Sequence, residues 1–529
     1  MSSSPRETLS DDVDKKESTS TSGILTDEER RLAEATDLAE PVTTKKELWG
    51  WYTFAWAMDG YTAATSSVFQ PLIIAAMATA GGRSTIDHMS KCDSSAACEV
   101  LFGTVWVTPT SYSLYSSAIA VLVQVWTPSP NTSSRTIIWN SKVYMFFFVF
   151  VGCISVMLWL ALIDNTWYYG ANILNIVGNV CYGAAYVFYV SYIPKLARNH
   201  PEVLAATTEE EKDEKMVFRT SRISIFGNAF GFFGGFIQMI LGVGVLLGMH
   251  QTLLSLRVAT FVGGVWWAIF SIVPIFLLKR RPGPPLPKGE YFIIYSWKQM
   301  YKKFRYAYKL AHLFILLLFW FFVSDAASTI LKVAVLFAQN EVNVSSTMIL
   351  IGAMVELLAA VPGMLIWHWI QGRFKLKLKT IIFAVTMLAG FVPLYVLGGL
   401  APTPGGFKST PEFIFLCAYY GLMQPALVAF SRALYSQLIP KGHENEMFSL
   451  FSITTAGGGW IGPLITGAIG DATGQMRYSM IFVAATMYVP LVLLYFLDVD
   501  KGLAQARLFT EQEKAEEEAK NTMELETKS

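Results

Sequence analysis

The feature that most constrains this chain is a series of apolar stretches, each about 20 residues long or more, separated by polar connections. A helix of about 20 apolar residues crosses the roughly 30 Å of a bilayer's hydrocarbon. The stretches fall at 47–80, 108–126, 142–164, 168–194, 221–248, 252–278, 311–338, 346–370, 378–400, 411–436, 447–470 and 476–497. Composition agrees: 53% of residues are hydrophobic and 15% charged, against about 45–50% and about 25% in soluble domains. None of the stretches alternates like an outer-membrane strand. The expected fold class is an all-α membrane protein with about twelve transmembrane helices.

Charge sets the expected layout. Residues 1–46 are polar and read as a disordered cytosolic tail. Two bundles follow, 47–278 and 311–497. They are joined by a basic cytosolic linker, 279–310, whose Tyr291–Tyr308 stretch reads equally as an interfacial helix or a plain linker. Residues 498–529 form a second charged tail. Lys and Arg crowd the 4–5, 6–7 and 8–9 connections, while the opposite side holds little beyond Arg83, Lys91, Lys408 and Arg477. By the positive-inside rule both termini are cytosolic. Cys92 and Cys98 then share a lumenal loop and are candidates for a disulfide. Asn343 is a lumenal glycosylation candidate, and the sequon at Asn131 falls on the cytosolic side.

The chain contains an internal repeat. Aligned without a gap, Ser221, Ser224, Ile225, Gly231 and Gly234 of helix 5 meet Ser449, Ser452, Ile453, Gly459 and Gly462 of helix 11. Tyr182-Gly183 and Ile193-Pro194-Lys195 around helix 4 match Tyr420-Gly421 and Ile439-Pro440-Lys441 around helix 10. Helices 1 and 7 each carry one embedded acid, Asp59 and Asp325. The order of these matches points to duplication of a six-helix unit, with the halves related by an axis along the membrane normal.

Several segments resemble the fungal autophagy-related vacuolar effluxers, a branch of the major facilitator superfamily. They are Gly50-Trp51-Tyr52, Val265-Trp-Trp267 leading to Lys279-Arg-Arg-Pro-Gly-Pro-Pro285, Ser324-Asp325, and the helix 10–11 block from Tyr420 to Pro463. That block includes Phe430-Ser-Arg432-Ala-Leu-Tyr435 and Trp460-Ile-Gly-Pro463. The resemblance implies a twelve-helix fold in two pseudo-symmetric bundles, a multi-pass protein of the vacuolar membrane, and export of neutral amino acids such as leucine during autophagy. The chain departs from the superfamily at Val125–Lys142, which holds no Gly and no acid where a Gly-x-x-x-Asp-x-x-x-Arg-type motif is usual.

Ionisable residues inside a membrane helix cost about 2.5–3.5 kcal/mol on insertion scales, so each is a functional candidate. Asp59, Asp325 and Glu356 are candidates for proton or substrate binding, or for structural bonds between helices. Lys332 reads as a counter-charge or as a cation snorkelling to the membrane edge. Asn172, Asn175 and Asn179 share one face of helix 4, turned to a cavity or to a neighbouring helix. Gln424 is a candidate for a substrate carboxylate, and Arg432 for the cytosolic gate. Gly457, Gly458, Gly459, Gly462 and Pro463 read as a hinge that also allows close packing.

Enzyme signatures are missing from the sequence: it has no phosphate-binding loop, no His-Glu-x-x-His pair and no Cys/His cluster suited to a metal. The function expected is secondary transport of small polar solutes, amino acids leaving the vacuole, with coupling to protons and without a cofactor. The expected partners are a small-molecule substrate and the lipid bilayer, with no nucleic acid. The alternatives left open are another small solute, a lipid, or a transport-dead scaffold or receptor.

Overall fold

The computed structural model describes residues 41–528, except 86, 93–97, 127–140, 251, 282–297, 299–300, 302–304, 306, 403–404 and 441–443. Residues 1–40 of the expected tail, most of the linker's expected interfacial stretch, Asn131 and nearly all of the atypical 125–142 segment lie outside these residues.

With no water in the bilayer core, a crossing segment must satisfy its backbone internally. The chain does so with helices. The first half holds α1 (Lys45–Gly81), α2 (Pro109–Trp126), α3 (Ser141–Met157), α4 (Tyr168–Arg198), α5 (Glu209–Gly248) and α6 (Leu253–Leu277). The second holds α7 (Ala311–Asn340), α8 (Ser346–Phe374), α9 (Leu378–Gly398), α10 (Thr410–Leu438), α11 in two pieces (Glu444–Gly458 and Ile461–Thr473) and α12 (Met476–Phe496). Among the described residues ten helices are long and apolar enough to cross a membrane. The 18-residue α2 and the broken α11 occupy the second and eleventh places and complete twelve.

Four features go beyond the sequence reading. The middle of α1 is π-helical over Tyr61–Phe69. α5 starts well before the apolar stretch, at a Thr208 cap whose hydroxyl accepts from the Glu211 amide. The last segment is one helix, α13 (Val499–Lys528), which packs on α7 and α10. The loop between α1 and α2 also folds, into a small antiparallel sheet of β1 (Arg83–Ser84), β2 (Cys98–Phe102) and β3 (Val105–Val107). Cys92 and Cys98 are joined there by a disulfide.

The helix pairs that pack show the symmetry. Within the first half α1 packs on α5 and α6, α2 on α4, and α3 on α4 and α6. Adding six to each number gives α7 on α11 and α12, α8 on α10, and α9 on α10 and α12, all of which pack as well. Across the seam, α2 meets α11 and α5 meets α8, and the same shift exchanges these two contacts. The fold is two six-helix bundles related by a pseudo-two-fold axis.

The start of α1 and the end of α12 lie on one face, here the terminal face; the sheet marks the opposite, hairpin face. On the terminal face the buried Arg281 guanidinium donates to both carboxylate oxygens of buried Glu47, at 2.9 Å each, and to Thr43 at 3.0 Å. Thr43 donates in turn to the Leu196 carbonyl. This clasp ties the start of α1 to the ends of α4 and α6. A buried ion pair holds when its remaining donors and acceptors are also satisfied, as they are here.

Candidate functional site

Asp59 lies fourteen residues into α1 from Lys45, about 21 Å from that end at ~1.5 Å per residue. It is partly buried, and among the described residues no group donates a hydrogen bond to it. Its carboxylate rests on Gly231 of α5, where any side chain would collide with it. Tyr182, Tyr186 and Tyr189 of α4 lie within its electrostatic range. Tyr186 is 40% exposed and also lies within range of Arg432 on α10, across the seam. Arg432 is exposed and has no carboxylate partner among the described residues.

Asp325 is placed differently, although α7 is the counterpart of α1. It is buried, and its Oδ1 accepts from the Gly462 amide at 3.1 Å. Gly462 opens the second piece of α11, whose first amides have no partner within the helix. Asp325 therefore caps a half-helix in the neighbouring chain segment, where the helix dipole favours an anion. A side chain at Gly462 would strike Thr329 and come within 3.0 Å of Asp325 Oδ1. Pro463 lies in the same first turn, where its missing N–H breaks no bond. Gly457 and Gly458 end the first piece, and the break falls at Gly459 and Trp460.

The asparagine face of α4 bonds to α2. Ser116 donates to Asn172 at 2.6 Å, Asn175 donates to Ser116 at 2.9 Å, and Asn179 donates to Asn175. Of the two readings of these residues, the geometry favours the helix-to-helix bond.

On the hairpin face the halves are stitched together. Asp471, in the second piece of α11, accepts from the Thr108 amide at 2.9 Å and from the Tyr115 hydroxyl at 2.7 Å. Ser111 donates to the Gly467 carbonyl at 3.0 Å, and Asn340 of α7 donates to Thr110 at 3.1 Å. α7 packs on the Tyr61–Phe69 and Gln70–Gly81 parts of α1, which lie toward the same face. The hairpin face is closed. On the terminal side Tyr186 and Arg432 stay exposed between the halves.

A charged centre between two symmetry-related bundles fits a transporter, and sequence comparison supplies the family. The family described as "Vacuole effluxer Atg22 like" matches residues 43–507. The chain belongs to this family. It is 28% identical to Autophagy-related protein 22-1 of Penicillium rubens, over 88% of this chain and 92% of that one. It is 28% identical to Autophagy-related protein 22 of Gibberella zeae, over 87% and 80%. Its structure is similar to that of a D-xylose–proton symporter, with a TM-score of 0.57 and 12% identity over 86% of this chain and 99% of the other. The fold is that of the major facilitator transporters.

The remaining candidates of this vacuole-effluxer chain take scattered places. Glu356 of α8 is partly buried without a hydrogen-bond donor among the described residues, and lies near Cys417 and Tyr420 of α10. Gln424 is partly buried and makes no described hydrogen bond. Lys332 is partly buried within electrostatic range of Asp325. Asn343 is exposed, in the left-handed backbone region at φ 57°, just before Ser345, whose hydroxyl caps α8.

Sequence reasoning missed the α4 tyrosines, the Asp471 stitch, the Glu47–Arg281 pair and the buried amides of Gln70 and Gln238, which have no protein partner among the described residues. The tyrosines did carry a signal. Asn172, Asn175, Asn179, Tyr182, Tyr186 and Tyr189 recur at alternating steps of three and four, one continuous stripe along a helix.

Proposed function

We propose that this transporter exports neutral, leucine-like amino acids from the vacuole lumen to the cytosol by alternating access, coupled to protons through Asp59. The terminal face is the cytosolic one, because Lys195, Arg198, Lys279, Arg280, Arg281, Arg373, Lys375, Lys377 and Lys379 gather there. The structure is then closed to the lumen and open to the cytosol.

The observation that carries the reading is the isolation of Asp59. A membrane acid with no donor is costly to keep for structure alone. It can take up a proton without weakening an existing bond, whereas protonation of Asp325 weakens the charge-assisted bond it accepts from Gly462. Proton uptake and release at Asp59 make the transport cycle depend on the pH of each side.

The test is efflux of labelled leucine from vesicles of controlled interior pH, with protein abundance checked in parallel. The expected result is release that depends on the protein and on interior pH, with the pH dependence flattened by Asp59→Asn. Equal release with and without the protein would overturn the amino-acid reading. An unchanged pH profile in Asp59→Asn would overturn the coupling.

A further inference from the structure

Arg432 of α10 and Asp59 of α1 are opposite charges in opposite halves, and neither has a described partner. An unpaired charge facing a membrane cavity calls for a ligand or a counter-ion. Their relation in depth narrows the ligand. Asp59 lies fourteen residues beyond Lys45, and Arg432 six residues before Leu438. Measured from the terminal-face ends, their Cα levels differ by about 12 Å at ~1.5 Å per residue.

Side-chain direction closes much of that gap. Cα–Cβ bonds lean toward a helix's N-terminus. α1 starts on the terminal face, so Asp59 leans toward that face. α10 starts on the hairpin face, so Arg432 leans inward along its long stem. Tyr186 of α4 is within electrostatic range of both and has no described hydrogen bond on its hydroxyl. Tyr182, on the neighbouring turn, stacks on Tyr186 with ring centroids 6.0 Å apart.

We infer that Asp59 and Arg432 are the two poles of one site for a small zwitterion: the ammonium is held by Asp59, the carboxylate by Arg432, and Tyr186 hydrogen-bonds between them. The site straddles the halves, so a bound zwitterion draws α1 and α4 toward α10 and favours closure of the cytosolic side. A solute with only one charged end engages one half and leaves the opposite charge exposed. This rests on the amino-acid reading above and adds the assignment of its poles. Asp325 is not a pole, because its carboxylate is already bound to the Gly462 amide.

The test uses the full-length protein in proteoliposomes, with exchange of labelled leucine and competition by three probes: leucine, leucinamide, which lacks the carboxylate, and 4-methylpentanoate, which lacks the ammonium. In wild type, leucine should compete at least about tenfold better than either analogue, the equivalent of one charge-assisted hydrogen bond. Arg432→Gln should erase the preference for leucine over leucinamide while keeping the preference over 4-methylpentanoate. Asp59→Asn should do the reverse. Arg432→Lys should recover part of the carboxylate preference, and Tyr186→Phe should weaken leucine more than either analogue. Melting temperatures of all variants control for folding. If Arg432→Gln lowers competition by all three probes by the same factor, or keeps wild-type selectivity, the pole assignment is wrong although the amino-acid reading stands. If wild type exchanges no leucine, both fail.

Discussion

Two carboxylates at matching places in α1 and α7 meet different surroundings, and the difference is a matter of one amide. In the first half Asp59 lies over Gly231 within an unbroken α5. In the second half α11 is interrupted, so the Gly462 amide is free to bond Asp325. Sequence placed the two acids as equivalents, because duplication is visible in residue identity while a broken helix is visible only through its partners. Removing the charge at each should therefore act on different quantities. Asp325→Asn loses an anion at a helix N-terminus, a contribution of up to ~2 kcal/mol when partly buried, and should lower the melting temperature. Asp59→Asn removes no described bond and should leave the melting temperature unchanged or raise it, because a partly buried, unpaired charge is gone. Thermal unfolding of the two variants beside wild type checks this. Equal destabilisation by both would show that Asp59, too, serves the fold.

At the scale of the helix, the sequence was readable wherever periodicity and length alone decide. The twelve apolar stretches became twelve crossing segments, and the polar stripe of α4 was half read, through its asparagines. The π-helical part of α1 left no such trace, since nothing in Tyr61–Phe69 requires an i→i+5 bond until α5, α6 and α7 pack around it. The sheet between α1 and α2 was hidden for a related reason. Its strands are two to five residues long, too short for alternation to show, and pairing and a disulfide fix them. The choice of partner across the seam is likewise a tertiary fact. Asp471 lies just past the apolar stretch 447–470, where nothing in the sequence marks a partner, yet it joins α11 to α2 through Thr108 and Tyr115. A hydrogen bond to a charged group contributes about 1.5–3 kcal/mol. Tyr115→Phe removes one of the two and should shift the population toward a state with the hairpin face open, about tenfold or more. The readout is thiol labelling, from the hairpin side, of a cysteine placed in this seam. Labelling as slow as in the parent would mean that the stitch does not hold the face closed.

For the molecule as a whole, the pairing of α2 with α11 and of α5 with α8 gives the two bundles a common seam about which they can rock. Closely packed interfaces switch between discrete arrangements and do not deform continuously. Alternating access, as proposed above, calls for a second state in which the closed hairpin face parts and the terminal face closes. Thr110 and Asn340 lie on opposite sides of the seam, with Asn340 Nδ2 3.1 Å from Thr110 Oγ1. Cysteines at both positions, bridged by a short methanethiosulfonate crosslinker, would hold the protein in the present arrangement. The native thiols interfere little: Cys153 and Cys181 are buried, Cys417 is partly so, and Cys92 and Cys98 are bonded to each other. The doubly substituted, crosslinked protein should bind solute from the terminal side and fail to exchange it, with exchange restored when the bridge is reduced. Each single substitution, treated in the same way, should retain exchange. Full exchange by the bridged protein would mean that the halves need not part at this seam, and the rocking of two six-helix bundles would have to give way to movement within one of them.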